Sequence, residues 1–319
     1  MDIGSNAATS TQPKLNEQYD YKKIEKIAHG IRQWVLELTI DKNGCYLSQA
    51  LSGAETVAAL YGGVMKLGKS QAPYIAPPFG GVPGENNKDY VTGSAYNGPT
   101  GPGYDRLLIS PAHYAVVIYA ALVETGRLSP ESFKEFNVDG SIVEQIGAEH
   151  SPGFELTTGS FGQAISQAGG IAHARKMRHE DGRVFLFMSD GELEEGQTWE
   201  GIQAAAHYKL DNLVVYVDVN GQQYDGWTKD VMNIEPINSR IEAFGGTCVT
   251  VDGHNIEELV KASQTPTEGK PLFVLCYTNS AQGLPELDYR KPNLHFVRFR
   301  DHEVEQFKGI LEDMKKGVR

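Results

Sequence analysis

The sequence predicts an α/β protein in which helices flank both faces of a doubly wound, mostly parallel sheet. The first observation is a set of short, continuous apolar runs, of which "NLVVYVDV" (212–219) is the clearest. Such runs are typical of parallel strands that are buried on both faces. The second observation is that helical patterns separate these runs along most of the chain, as expected for repeated β-α units.

The amino-terminal part of the chain is predicted to be helical. Residues 21–39 have isoleucine, valine and leucine at three- and four-residue steps, which predicts an amphipathic helix. A second helix is predicted at 52–67, with Ser52 as its N-cap and Glu55 three residues later. From 70 to 104 the chain is rich in glycine, proline, tyrosine and asparagine. We expect a long loop there, and such loops in a domain are usually functional or mobile.

Beyond this loop, strand and helix patterns alternate. Strands are expected at "RLLIS", "VFLFM", "NLVVYVDV", "TCVTV" and "PLFVLCYT", and helices at 112–125, at 130–136, within 157–178 after a glycine turn, in "TWEGIQAAAHYKL", up to Phe244, at 256–263 and from about Asp301. We therefore expect a flexible tail at 1–18 and a single domain over 19–319, with a Gly/Pro-rich insertion at about 70–104.

Composition excludes several classes of function. The 319 residues have a formal net charge of −12, which argues against a nucleic-acid-binding protein. No apolar run approaches the roughly 18 residues of a membrane span, and the polar first residues lack the pattern of a signal or transit peptide. Three scattered cysteines are too few for a disulfide framework. We expect a cytoplasmic protein that binds neither nucleic acid nor membrane.

Polar residues follow two of the predicted strands where these strands end. Asp190 follows "VFLFM", and Asn220 follows "NLVVYVDV" thirty positions later. If the two strands are neighbours, the two side chains converge at the edge where open α/β sheets bind ligands. A carboxylate, an amide oxygen and a nearby backbone carbonyl suit Mg²⁺ or Ca²⁺, with a substrate phosphate completing the shell. Gly191 lets the backbone approach that phosphate closely.

The stretch "SDGELEEGQTWEGIQAAAHYKLDNLVVYVDVNGQQYDG" (189–226) resembles the thiamine diphosphate motif of the transketolase family. The family pattern is Gly-Asp-Gly, an acid-Gly, a helix, Leu-x-Asn-Leu, Asp-x-Asn-x and Asp-Gly, and only its first glycine is replaced, by Ser189. "DRLLISPAHYAVVIYAAL", "TTGSFGQA" and "VDGHN" resemble further family segments. The likeness covers most of residues 20–300 and implies the thiamine diphosphate-binding fold, in its pyrophosphate-binding (PP-type) form.

The resemblance implies a metal site and a cofactor site. The metal, Mg²⁺ or alternatively Ca²⁺ or Mn²⁺, would bind the side chains of Asp190 and Asn220 and the backbone oxygen of Gln222. It would bridge the two phosphates of thiamine diphosphate. Other residues expected to line the cofactor are His113, Gly159, Phe161, Gly191 and Glu192, with Glu192 contributing mainly its backbone.

The resemblance also implies catalytic residues. His113 and His295 match family histidines near the diphosphate and the substrate hydroxyls, and Glu195 matches a glutamate in a proton network between paired active sites. Glu194 is expected to be solvated. The family's early Gly-His-Pro-Gly is replaced by Gly-Cys-Tyr-Leu from Gly44, so Cys45 stands where the family has a substrate-contacting histidine. Donor or acceptor recognition is therefore expected to differ from that of the pentose phosphate enzyme.

Thiamine diphosphate reacts as a carbanion. In the family, a glutamate on a second domain drives its ionisation, and few residues follow 226 here. We therefore expect a separately encoded carboxy-terminal partner in an α₂β₂ assembly, with little activity for the chain alone. The predicted reaction transfers a two-carbon ketol unit from a ketose, such as a sugar phosphate, to an aldose or related acceptor.

Two other functions remain open at this level. A subunit similar to the α subunit of 2-oxo acid dehydrogenases would pass a glycolaldehyde-derived unit to a lipoyl or carrier-protein thiol, although that family typically has Asn-Asn where this chain has "DVN" at 218–220. A non-catalytic homologue would serve as a scaffold or regulator, which intact Asp190, Gly191 and Asn220 argue against. A dinucleotide-binding oxidoreductase is disfavoured, because no Gly-x-Gly-x-x-Gly follows an early strand.

Overall fold

A computed structural model describes residues 19–88 and 90–319 of the chain. Five parallel strands form the main sheet in the spatial order β1-β2-β3-β7-β6, and a two-stranded ribbon, β4-β5, follows β3. The strands are β1 (Arg106–Ile109), β2 (Val184–Ser189), β3 (Leu213–Val219), β4 (Gln222–Gln223), β5 (Gly226–Trp227), β6 (Thr247–Asp252) and β7 (Leu272–Tyr277). The predicted tail at 1–18 lies outside the described residues.

Helices cover both faces of the sheet. They are α1 (Tyr21–Asp41), α2 (Leu47–Ala59), α3 (Ala115–Glu124), α4 (Pro130–Lys134), α5 (Ala164–Met177), α6 (Gly196–His207), α7 (Thr228–Val231), α8 (Ile237–Ala243), α9 (Ile256–Ala262) and α10 (Asp301–Lys315). One apolar core joins α1, α2, α3, α9 and α10 to one face, and a second core joins α5, α6 and α8 to the other.

The strands are apolar without interruption because both of their faces are covered. In β2, Phe185 and Phe187 contribute to the first core, whereas Val184, Leu186 and Met188 contribute to the second. Since successive side chains point to opposite faces of a sheet, a strand covered on both sides needs an apolar residue at every position. The predicted doubly wound, mostly parallel α/β fold is confirmed.

The predicted start of the second helix is wrong. This helix begins at Leu47 rather than at 52, and a π-helical turn over Leu60–Val64 continues it. Every residue of α2 is buried, including its polar side chains Ser48, Gln49 and Ser52, so a polar residue at 52 does not mark the end of this helix. Ser52 is an interior residue of the helix, and its hydroxyl donates to Asp218 rather than to a helix end.

The glycine- and proline-rich segment is an extended surface loop. Between Val64 and β1, the described residues form one helical element, a 3₁₀ turn over Gly93–Tyr96. Isolated backbone pairing joins Pro78 to Ser141 and holds part of the loop against the molecule. None of the described helices combines the length and the apolarity that crossing a bilayer requires.

Candidate active site

The ends of β2 and β3 bring the two predicted metal-ligating side chains together. The strands are parallel neighbours, and Ser189 pairs in register with Asp218. Asp190, which follows β2, is 1% exposed, and its Oδ2 accepts a hydrogen bond from the Gly221 backbone N–H at 2.9 Å, directly after Asn220. The same edge of the sheet therefore presents a buried carboxylate beside the amide of Asn220.

Burial makes the Asp190 carboxylate costly to ionise without a cation. Removal from water, together with the negative charge of Asp218, raises the pKa of Asp190 to about 7. Hydrogen bonds from the backbone N–H groups of Gly191 and Gly221 oppose this shift in part. A buried carboxylate without a cationic partner is a suitable ligand for a divalent metal ion, whose charge would offset the cost of burial.

The Asn220 amide is fixed in one orientation. Its Nδ2 donates to the Tyr114 hydroxyl and to Asp218 Oδ2, both at 3.3 Å. Its Oδ1 consequently points the other way, where it accepts from the Gln222 backbone N–H at 2.9 Å. The amide oxygen, rather than the nitrogen, is thus available for a hard cation. The Gln222 side chain donates to the Ser280 hydroxyl, which ties the third predicted ligand-bearing residue to the loop that follows β7.

The residues present fit a metal-bridged diphosphate. Asp190, Asn220 and the carbonyl of Gln222 provide the oxygen ligands that Mg²⁺ and Ca²⁺ prefer. A Cβ atom at Gly191 would meet no other part of the chain closer than 4.0 Å, with Gln223 and Phe161 as its nearest neighbours. The fold thus leaves space over this glycine, and a cavity of about 440 Å³ opens on the side of Asp190 that faces Trp227 and Tyr277.

The predicted glycine loop lies beside these strand ends. Gly159 has a left-handed φ of +98°, and its N–H donates to the Ser110 carbonyl at the end of β1. Phe161 lies between Gly191 and His113, whose ring centroid is 6.3 Å from that of Phe161. The loop therefore forms a continuous surface from the strand ends to the predicted histidines.

The two predicted histidines meet although 182 positions separate them. The ring centroids of His113 and His295 are 4.9 Å apart, and Tyr46 contacts both rings, at 5.2 and 5.4 Å. Burial and the neighbouring His295 lower the pKa of His113 to about 3, and burial also lowers the pKa of His295. Both imidazoles are neutral at pH 7, so each offers one N–H donor and one acceptor, which suits hydroxyl groups.

Glu192 differs from its predicted role. Its side chain, rather than its backbone alone, contributes to the site: it is 0% exposed and accepts from the Ser110 hydroxyl and from the Gly162 N–H at 3.3 Å. The carboxyl therefore ties the glycine loop to the end of β1. Among the described residues, its second oxygen has no hydrogen-bond partner, and burial raises the pKa of Glu192 to about 7.

The variant Glu192→Gln is expected to be more stable than the natural chain above neutral pH. A carboxyl whose pKa is raised by folding lowers the stability of the protein as the pH increases. The loss extends from the pKa of the group in the unfolded chain, near 4.5, to its pKa in the folded chain, near 7. The advantage of the variant should grow by roughly 2–3 kcal/mol between pH 5 and pH 8. Chemical denaturation at both pH values measures it, and the exposed Glu200→Gln is the matched control. An equal advantage at both pH values would contradict the assigned burial cost.

The remaining two glutamates of this turn lie nearer the surface. Glu195 is exposed and lies next to the glycine loop. A Cβ atom added at Gly162 would lie 3.2 Å from the Cβ of Glu195. Glu194 is half-buried and accepts from Gln223 Nε2 at 2.6 Å, so the expectation that it is merely solvated is wrong. Cys45 is fully buried, and burial raises the pKa of its thiol to about 12, so it is an unreactive core residue.

Sequence reasoning missed the residue at the centre of this site. Asp218 is 0% exposed and accepts hydrogen bonds from Ser52 and Tyr114, both at 2.6 Å, and from Thr278. The signal was present, because Asp218 is the first residue of the Asp-x-Asn pattern. Its function follows from the convergence of donors from α2, from the residue that precedes α3 and from the residue that follows β7.

Comparisons with known proteins agree with this site. The family model described as "Transketolase, thiamine diphosphate binding domain" matches residues 92–314. The transketolase from Campylobacter jejuni has the same fold, with a TM-score of 0.68 at 21% identity over 93% of this chain and 47% of that chain. The transketolase from Leishmania mexicana superposes with a TM-score of 0.65 at 23% identity over 92% of this chain and 45% of that chain. This chain thus spans about half the length of the solved transketolases.

This chain matches a larger share of the length of several curated relatives. A transketolase family protein from Sinorhizobium fredii is 39% identical over 67% of this chain and 78% of its own length. The 6-deoxy-6-sulfo-D-fructose transketolase subunit SqwG of a Clostridium species is 32% identical, over 82% and 86%. One subunit of the apulose-4-phosphate transketolase of Actinobacillus succinogenes is 28% identical, over 92% and 97%.

The fold and the matched family model define a thiamine diphosphate-binding domain of the kind found in enzymes that transfer aldehyde or ketone groups. The chain belongs to the transketolase family. Thiamine diphosphate is accordingly the cofactor of this domain.

Proposed function

We propose that the chain is the amino-terminal subunit of a two-component transketolase that transfers a two-carbon ketol unit from a ketose phosphate or related donor to an aldose acceptor. The main support is the convergence of Asp190 and Asn220 at adjacent parallel strand ends, beside a glycine with open space above it. In this proposal, Asp190, Asn220 and the Gln222 carbonyl hold a divalent metal against the diphosphate. The cofactor, when bound, supplies the carbanion that accepts the ketol unit.

Each side chain of the site has a proposed task. Glu192 offers its backbone N–H group to the diphosphate, and Gly191, whose own N–H donates to Asp190 Oδ1, leaves space for it. Gly159 and Phe161 line the cofactor along the glycine loop. The neutral imidazoles of His113 and His295 orient the substrate hydroxyls and move protons there. Glu195, exposed beside the glycine loop, belongs to a proton network that continues into a neighbouring subunit.

A separate partner subunit completes the active site in this proposal. The names of two relatives, covered over 86% and 97% of their lengths, describe them as subunits of transketolases. The solved transketolases have about twice the length of this chain. We infer that a separately encoded carboxy-terminal subunit pairs with residues 19–319, which form one domain, in an α₂β₂ assembly in the cytoplasm.

Reconstitution tests this function. The purified chain is expected to bind thiamine diphosphate weakly and to transfer no ketol units. With the carboxy-terminal subunit present, it should transfer ketol units from a ketose phosphate to an aldose phosphate in a Mg²⁺-dependent reaction. The same donor assayed with a lipoyl acceptor distinguishes a dehydrogenase-like subunit. Stable assembly without cofactor binding would instead identify a non-catalytic homologue.

A further inference from the structure

The segment "VDGHN" (251–255) connects β6 to α9 at the edge of the sheet that carries the candidate active site. Its residues are not among the proposed ligands of the metal or the cofactor. Asp252 pairs in register with Tyr277, so the residues that follow β6 lie beside those that follow β7. Only β7 separates this segment from β3, which contains Asp218.

The neighbours of His254 in the sequence fix its position. The His254 N–H donates to Asp252 Oδ1 at 2.9 Å, and Asn255 is the N-cap of α9. A Cβ atom at Gly253 would lie 2.3 Å from Thr278 Cγ2. A glycine at this position therefore lets the segment lie directly against the loop that follows β7.

That loop, residues 278–280, supports two residues of the candidate site. The Thr278 hydroxyl donates to Asp218, and the Ser280 hydroxyl accepts from the Gln222 side chain. Gln222 is the residue whose backbone carbonyl is proposed to bind the metal. A shift of the 278–280 loop would therefore move the supports of both Asp218 and Gln222.

His254 binds the middle residue of the 278–280 loop. The Asn279 backbone N–H donates to His254 Nε2 at 2.8 Å. Because a backbone N–H can only donate, Nε2 carries no proton, and the proton of the neutral imidazole is on Nδ1. His254 Nδ1 lies 3.0 Å from Glu55 Oε2 and donates to this carboxylate. Glu55 thus selects the tautomer in which His254 accepts from the loop.

Arg32 fixes the Glu55 carboxylate in turn. Arg32 Nη2 donates to Glu55 Oε2 at 2.5 Å and to the Leu51 carbonyl at 3.0 Å. The side chains of Arg32, Glu55 and His254 are only 10%, 9% and 14% exposed. Burial opposes ionisation of Glu55, but the hydrogen bond from His254 and the charge of Arg32 outweigh it and hold the pKa of Glu55 below its usual value. The acceptor for His254 Nδ1 is therefore an ionised carboxylate.

These contacts form a closed chain of hydrogen bonds between α2 and the site. Ser52 lies one turn before Glu55 in α2, and its hydroxyl donates directly to Asp218 at 2.6 Å. From Asp218 the chain continues through the 278–280 loop to His254, and it returns to α2 at Glu55. Because α2 reaches the site by two routes, loss of the His254 contact would release the loop and leave the direct contact in place.

We propose that His254 is a positioning residue of the cofactor site, which holds the 278–280 loop through Nε2 and thereby fixes the Gln222 carbonyl toward the metal. Glu55 and Arg32 maintain the tautomer that this contact requires. Groups behind metal ligands commonly change metal affinity when they are removed, because they orient the ligands. The contact with the loop stands on its own geometry, whereas its effect on a metal rests on the proposed function.

Two substitutions of His254 separate its two nitrogen positions. His254→Asn places its amide near the position of Nδ1, so it can still contact Glu55 but leaves Asn279 without an acceptor. His254→Gln reaches the position of Nε2 with its amide oxygen, which can accept from the Asn279 N–H. The exposed His302→Asn is the matched control.

Amide hydrogen exchange of the full chain, without partner, metal or cofactor, is the first test. We expect the Asn279 amide to exchange roughly tenfold faster in His254→Asn, and to keep its natural rate within about threefold in His254→Gln and in the control. The amides of β3 should stay protected in all three variants. Unchanged exchange in His254→Asn would overturn the proposal.

Two other exchange results would also contradict the proposal. Equal acceleration at Asn279 in His254→Asn and His254→Gln would mean that the imidazole fills space and that its acceptor is unimportant. Loss of protection across β3 in His254→Asn would mean that the histidine is needed for the fold as a whole. In both cases His254 is not a positioning residue of the site.

Calorimetric Mg²⁺ titration of the assembled complex, with thiamine diphosphate present, is the second test. His254→Asn should bind Mg²⁺ about tenfold more weakly than the natural complex, and His254→Gln should restore the affinity to within about threefold. Faster exchange at Asn279 together with unchanged Mg²⁺ affinity would show that the loop does not position the ligand, and the proposal would be wrong. If the loop responds as expected but the natural complex binds no cofactor, the proposed function fails while the contact of His254 with the loop stands.

Discussion

The variant Asp190→Ala is expected to lose Mg²⁺-dependent retention of thiamine diphosphate while its fold stays intact. Asp190 is the only carboxylate among the three proposed ligands, and removing a charged ligand from a divalent site should lower the affinity at least a hundredfold. Equilibrium dialysis of the cofactor with and without Mg²⁺, in the assembled complex, measures this loss. Normal retention would remove Asp190 from the ligand set.

When metal is absent, the stability of the same variant should fall less with rising pH than that of the natural chain. The carboxylate has three hydrogen-bond donors, but burial and Asp218 raise its pKa to about 7, so its ionised form opposes folding above that pH. We expect the melting temperature of the variant, relative to that of the natural chain, to be higher at pH 8 than at pH 5, because the three donors lose their acceptor equally at both pH values. The exposed Asp139→Ala is the matched control, and it should retain both the cofactor and the original melting temperature.

Loss of the cooperative melting transition in metal-free Asp190→Ala would indicate that Asp190 is required for folding. In that case the loss of cofactor would follow from unfolding. The isosteric Asp190→Asn keeps the shape of the side chain and separates the two explanations. If Asp190→Asn also loses the cofactor while its stability is preserved, the carboxylate charge is what the metal requires.

The strands and the position of the polar side chains at their ends were predictable because their signals are local. A parallel strand covered on both faces requires an uninterrupted apolar run, and the groups that follow it must lie at the carboxyl edge of the sheet. The proximity of Asp190 and Asn220 could therefore be predicted from the sequence. The glycine loop was predictable for the same reason, since its turn is a feature of adjacent residues.

Other features depend on contacts between distant segments. The start of α2 was predicted incorrectly because Ser52, a residue type that is common at the N-cap, is buried inside this helix rather than at its end. Ser52 then looked like a helix cap, although it is a donor to a carboxylate 166 positions away. The side chain of Glu192 was overlooked because its partner, Ser110, lies 82 positions earlier in the sequence.

Asp218 illustrates why a buried charge can be indispensable although it contacts no ligand in the proposed site. Its Oδ2 accepts from Ser52 and Tyr114 and also receives the Asn220 amide, which fixes the direction of the Asn220 oxygen. Because the carboxylate satisfies several buried donors at once, its removal leaves these donors without partners. Each unsatisfied buried donor costs about 1–3 kcal/mol.

The variant Asp218→Ala is accordingly expected to lose about 2–4 kcal/mol of unfolding free energy and, in the folded fraction, roughly 10–100-fold in metal affinity. The second effect follows because the Asn220 amide then loses one of the two acceptors that hold its nitrogen away from the cation. Ser52→Ala is the matched control: it removes a donor to the same oxygen without contacting Asn220, so it should lower stability and leave metal affinity unchanged. Calorimetric Mg²⁺ titration in the presence of thiamine diphosphate distinguishes the two variants. If both lose metal affinity in proportion to their loss of stability, Asp218 acts only in folding, and the orientation of Asn220 must be fixed by Tyr114 alone.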